Sequence, residues 1–181
     1  HAAPVPKELG MRTIFNILGP LTNPAGAPNQ VMGVFHPDLV GIQARVLKML
    51  GSRHVLTVHG HDGLDEITLS GPTHVAELKH DFITEYVIEP RQFGLETAPL
   101  EALRADGPDE SRARVLAVLD GEPGPARDVV ILNAAAALYG SGVAASLWDG
   151  VALARDTIVS GSARAKLDQL VSFSQGFAKA G

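Results

Sequence analysis

Apolar runs of strand length alternate with apolar positions at helical spacing along the first half of the chain. Residues 30–35, QVMGVF, read as a buried strand, and in HPDLVGIQARVLKMLG the apolar Leu39, Ile42, Val46, Leu47 and Leu50 recur at helical intervals up to a stop at Gly51. Residues 54–58 form a second strand around the apolar and β-branched VLTV. Two strands joined by a helix of this length pair in parallel through a right-handed crossover in nearly all known cases. Between Thr73 and Glu89 the period shortens to two, as VAELKH and FITEYVIE alternate apolar and polar residues about His80 and Asp81, which predicts an antiparallel hairpin. From Leu100 onward the spacing is helical over 100–105, 110–119, 127–139, 147–160 and 163–177, with glycines and prolines as separators. At the other end, Pro4 and Pro6 can stand only at or before a first helical turn, so Val5 is extended and any helix begins near Pro6. The pattern predicts an α/β fold, a mixed β-sheet flanked by helices with a helical C-terminal third, in one domain over residues 1–181.

Composition narrows the function classes. At 181 residues the chain can bury one sizeable core, and its 45% hydrophobic and 19% charged content is that of an ordinary globular protein. The absence of cysteine removes disulfides, a thiolate nucleophile and cysteine zinc sites, and fits a cytoplasmic protein. No apolar stretch approaches the roughly 20 residues that span a bilayer, and the opening HAAPVPKELG lacks the order of a signal peptide, so no membrane partner is expected. A start at His1 in place of Met is the expectation for a cut end. The net charge is −5 with lysines and arginines scattered, which lacks the basic stripe that nucleic acid requires.

Candidate chemistry concentrates in HGHDGLDE, residues 59–66. Neighbours on a regular strand point to opposite faces, so Asp65 and Glu66 can share one metal region only where the backbone is irregular or two ions are involved; Gly60 and Gly63 supply that freedom. Magnesium keeps several waters and is commonly bound by one or two carboxylates plus substrate phosphates, which suits this pair. Solvated surface charge is the plainer account of any Asp–Glu neighbours. His59 and His61 raise a zinc reading that lacks further ligands at metal-site spacing; as ordinary residues His59 ends a strand and His61 lies in a loop. GPLTNP, residues 19–24, has two prolines and a glycine in six positions, a composition that often builds a rigid turn and nothing more. In VVILNAAAALY, Asn133 follows an apolar run and is read structurally, capping a helix or bonding the sheet, and Trp148 is read as core.

Taken together, RTIFNILGPLTNP at residues 12–24 and HGHDGLDE resemble the anthranilate phosphoribosyltransferase family, and the resemblance covers nearly all of this chain but only about the latter half of such an enzyme. It implies the C-terminal part of a nucleoside phosphorylase/phosphoribosyltransferase-like α/β domain, truncated on its upstream side. The complete enzyme would join the C1 of phosphoribosyl diphosphate to the amine of anthranilate in tryptophan biosynthesis. By the same resemblance Asp65 and Glu66 bind Mg2+, Gly19 and Pro20 line the anthranilate channel, and the assembly is a homodimer. One position departs: the family reads A-x-V-R-K/R-x-L-G before the loop, with an arginine that engages the anthranilate carboxylate, whereas this chain reads AAPVPKELG and carries Pro6 there. Lys7 is a poor substitute, being one helical step away and lacking the guanidinium fork. The family's G-T-G-G-D diphosphate loop, its K-H-G-N-R segment and the small helical domain lie upstream of this chain, so the chain alone is expected to be inactive. Two rival readings are a pyrimidine nucleoside phosphorylase-like enzyme, which shares the fold, and a non-catalytic relative that binds nucleic acid, which the negative charge opposes.

Overall fold

The computed structural model describes residues 18–178. Strand β1 (Asn29–Gly33) leads into helix α1 (Leu39–Met49) and strand β2 (His54–Gly60), and β2 runs parallel to β1 with Val31 opposite Leu56. Strands β3 (Thr73–Lys79) and β4 (Phe82–Ile88) add antiparallel neighbours, giving the sheet order β1-β2-β3-β4. The expected mixed sheet is therefore present. The β3–β4 turn falls at His80 and Asp81, both with positive φ (50° and 67°), the geometry a two-residue hairpin needs and one that histidine and aspartate adopt more readily than β-branched residues. Helices α2 (Pro108–Leu119), α3 (Pro125–Gly140), α4 (Leu147–Val159) and α5 (Ser162–Ala178) complete the chain.

Two apolar layers enclose the sheet. On one face α1 sets Val40, Ala44 and Leu47 against Met32, Val55, Ala76 and Leu78. On the other, Leu56, Val58 and Val75 meet Ile131, Leu132, Ala135 and Ala136 of α3, with Val151, Ala154 and Ile158 of α4 behind. Val55 and Leu56 thus serve opposite cores, the double-sided burial that explains why this central strand reads as a continuous apolar run. Among the described residues no helix is long and apolar enough to cross a membrane.

Several elements differ from the sequence pattern. The helix expected over 100–105 is a single 3-10 turn, Leu100–Leu103, closed by Ala102 and Arg104 amides bonding Pro99 and Glu101 carbonyls. The helices expected to begin at 110 and 127 start two residues earlier, at Pro108 and Pro125, because proline is preorganised for a first turn. In α1 the buried stripe is Val40, Gln43, Ala44 and Leu47, which leaves Ile42 and Leu50 exposed. Trp148 is not core: it stands 58% exposed, tilted against Phe93 at 5.8 Å between ring centroids, one turn before the buried stripe of Val151, Ala154 and Ile158.

Helices α3 and α4 pack backbone to backbone at Gly150, where a Cβ would lie 2.6 Å from the Ala135 carbonyl oxygen. Overpacking of this kind costs about 1–3 kcal/mol. Gly150→Ala is expected to lower the urea midpoint by that amount of stability with an unchanged slope, whereas an unchanged midpoint would show that the helices separate freely.

Candidate metal and substrate site

Both parallel strands end at one edge of the sheet, Gly33 closing β1 and Gly60 closing β2, and ligands of open α/β sheets bind outside such carboxyl ends. The connection from β2 to β3 folds over this edge. Its first turn is closed by the Gly60 amide bonding the Leu64 carbonyl (2.9 Å) and the Gly63 amide bonding the Gly60 carbonyl (2.9 Å), with Gly63 at φ +91°. The connection then lies so close to β1 that a Cβ on Gly33 would fall 1.5 Å from the Asp65 carbonyl oxygen, so only glycine fits there.

Asp65 and Glu66 sit in this irregular stretch, outside any strand and exposed. The backbone condition for two adjacent carboxylates to serve one region is thereby met. Among the described residues neither carboxylate takes a hydrogen bond or an ion pair. Glu66 also lines an open cavity of about 460 Å³ with Leu64, Leu100, Arg104 and Val129. Among the described residues no three histidine or carboxylate side chains converge as a ready-made cage. Two free carboxylates without a third protein ligand fit magnesium, whose remaining positions are filled by water and phosphate oxygens.

The histidines have separate surroundings. His59 is buried near the end of β2 with Nδ1 2.7 Å from the Val34 carbonyl, and His61 is exposed with its ring over Gly71.

Gly19 and Pro20 begin a single exposed 3-10 turn, Gly19–Thr22, whose end is held by the Thr22 hydroxyl donating to the Leu18 (3.1 Å) and Gly19 (3.2 Å) carbonyls. Pro20 lines a narrow crevice with Met32, Gly33, Val34, Leu39 and Gln43. Gly33 is thus flanked by the Pro20 turn and by Asp65, and the two sequence motifs meet around it. Among the described residues the buried Gln43 Oε1 on that crevice has no hydrogen-bond partner. Pro6, Lys7 and Arg12 lie outside the described residues.

Asp62 gains a place here that sequence reading did not assign, and Asn133, read as structural, takes a partner that sequence reading did not name. Asp62 accepts both side-chain hydroxyls of Thr68 and Ser70 at 2.5 Å on Oδ2 and the Leu64 amide at 3.2 Å on Oδ1. Asn133 does not open a helix; it lies inside α3 and clasps the peptide of Ile67, its Oδ1 accepting from the Ile67 amide (3.0 Å) and its Nδ2 donating to the Ile67 carbonyl (2.8 Å). The D-G turn dipeptide at Asp62–Gly63 was the available signal for the first. Nothing in the local pattern points from Asn133 to a partner 66 residues upstream.

Residues 1–164 match the model of the glycosyl transferase family, a/b domain. The anthranilate phosphoribosyltransferase of Chromobacterium violaceum is 65% identical over 175 residues, which is 97% of this chain and 51% of that protein. The crystal structure of anthranilate phosphoribosyltransferase from Thermus thermophilus superposes with a TM-score of 0.86 at 46% identity, over 96% of this chain and 51% of the other. The Saccharomyces cerevisiae anthranilate phosphoribosyltransferase in complex with PRPP and Mg does so with a TM-score of 0.79 at 31% identity, over 91% and 48%. The chain spans about half the length of the relatives it matches.

Burial pushes the Asp62 carboxyl up, but the hydrogen bonds from Ser70, Thr68 and Leu64, with the His61 charge, outweigh it and hold the group below the usual aspartate range. A depressed value stabilises the fold above the unfolded-state value of about 4, and that contribution is lost as pH falls through the folded value. Asp62→Ala is expected to cost about 1–3 kcal/mol at neutral pH. Its deficit relative to the parent should shrink as the solution is acidified below about pH 4. A deficit independent of pH in urea titrations would show that the carboxylate form plays no part.

Proposed function

We propose that this chain, which belongs to the glycosyl transferase family through its a/b domain, is the C-terminal portion of an anthranilate phosphoribosyltransferase. The observation that carries the reading is the free pair Asp65–Glu66, presented over the carboxyl ends of two parallel strands in the HGHDGLDE segment. The relatives of that name support it, and the PRPP and Mg in the yeast complex support the donor and the ion. In the reaction the anthranilate amine nitrogen bonds to ribose C1 as the C1–O bond to diphosphate breaks. Diphosphate leaves with the bonding pair and the amine gives up a proton. Such a displacement has cation-like character at C1, so it relies on positioning and charge stabilisation and needs no covalent nucleophile.

Asp65 and Glu66 would hold magnesium directly or through water, and when bound the ion supplies positive charge that offsets the leaving diphosphate. Gly19 and Pro20 would shape the wall of the acceptor channel, where a rigid turn orients a planar aromatic acid at little entropic cost. Pro6, in the family arginine's place, offers the acceptor carboxylate neither charge nor donor. The parts that cradle the diphosphate belong upstream of this chain, and the complete enzyme is read as a cytoplasmic homodimer in tryptophan biosynthesis. The relatives and the acidic pair favour this over a nucleoside phosphorylase, which uses free phosphate.

In the full-length gene product, fluorescence-followed consumption of anthranilate is expected to require phosphoribosyl diphosphate and magnesium. The paired change Asp65→Asn, Glu66→Gln should lower kcat/KM by about a hundredfold or more. Phosphorolysis of a pyrimidine nucleoside in place of that reaction would overturn the assignment. Pro6→Arg should lower the KM for anthranilate by about tenfold, the worth of one charge-assisted contact; an unchanged KM would show that position 6 does not meet the carboxylate.

A further inference from the structure

We propose that Asn133 and Asp62 are positioning residues for the acidic pair, clamping its loop at both ends so that Asp65 and Glu66 hold one arrangement before a divalent cation arrives. The inference rests on the reading of Asp65 and Glu66 as metal-holding residues.

Asn133 occupies the interior of α3, where asparagine is a weak helix former, and it spends its amide on another segment. Both polar groups of the Ile67 peptide pair with it, and the second Nδ2 hydrogen goes to the Val129 carbonyl at 3.0 Å. This is the pairing a neighbouring strand would offer, delivered by one side chain. Ile67 is itself sealed into the core with Leu132 and Ile131, so the residue after Glu66 is fixed by packing and by hydrogen bonds together.

At the other end Asp62 gathers Thr68, Ser70 and the Leu64 amide, so the turn before Asp65 is tied to the stretch that follows Ile67. Asp62 is consumed by these contacts, whereas among the described residues the two acids between the clamps take no hydrogen bond or ion pair. Between them Gly33 lets the Asp65 carbonyl rest on β1. Partners that orient metal-binding side chains typically contribute 10–100-fold to metal affinity.

The test titrates the full-length gene product with Mn2+ and reads water-proton relaxation. Asn133→Ala and Asp62→Ala are each expected to weaken Mn2+ binding by about tenfold, and Asp62→Asn, which keeps an acceptor for Leu64 and a polar partner for the hydroxyls, should recover most of the loss. Leu47→Ala, in the core on the opposite face, should lower the melting temperature and leave Mn2+ affinity in place. Parental affinity in Asn133→Ala or in Asp62→Ala overturns the assignment for that residue. An equal loss of affinity in Leu47→Ala at the same melting temperature also overturns it, because stability alone then accounts for the effect. Undiminished Mn2+ binding in the double variant Asp65→Asn, Glu66→Gln would remove the acidic-pair reading itself, and this inference with it.

Discussion

Once the chain leaves β2 it has no strand neighbour, and each peptide group it buries on the way to β3 must find a partner elsewhere. Ile67 shows how strictly that requirement acts. Its amide and carbonyl are answered by the Asn133 side chain, the Thr68 amide is answered by the Thr73 hydroxyl at 3.1 Å, and the His61 amide by the Pro72 carbonyl at 3.0 Å. A bend satisfied by side chains and its own backbone keeps a definite shape without spending Asp65 or Glu66 on internal bonds. The two carboxylates lie between Asp62 and Ile67, whose polar groups are paired elsewhere.

That pairing depends on where α3 lies. Asparagine is a short side chain, so the helix axis must come close to the sheet for its amide to reach Ile67. The run NAAAALYG makes this approach feasible: Ala135 and Ala136 are fully buried, and at Gly140 a Cβ would stand only 3.3 Å from the Leu56 side chain. Gly150 allows α4 a similarly close approach from behind. Small residues in two helices thus set a depth that a polar residue in one of them converts into the shape of a loop, a link from packing to site geometry.

Much of this was legible from periodicity. The strands, the crossover, the hairpin turn at His80 and Asp81 and the later helices follow from apolar spacing, and the two motifs identified the family. What periodicity misplaced has local reasons. Proline at the first turn moved two helix starts, and a one-step rotation of the α1 stripe exchanged Ile42 for Val40 and Ala44. Trp148 kept the helical phase but stands beside Phe93, beyond the buried stripe. Asn133 was visible as a polar residue in an apolar run, yet its role depends on a tertiary contact that no window of sequence contains.

Asp62, Asp65 and Glu66 stand within five positions of one another, carry the same chemistry and have different surroundings. The hydroxyls of Thr68 and Ser70 decide the division, because they come back to the turn at Asp62 and saturate its carboxylate. A hydroxyl-bonded, partly buried carboxylate is already solvated by the protein, so giving those bonds up to a cation would offset much of the attraction. Asp65 and Glu66 face solvent, where a hydrated divalent ion can meet them without breaking a protein hydrogen bond. On the proposed reading, selecting the metal-binding acids therefore depends less on which carboxylates are present than on which of them the neighbouring donors have already claimed.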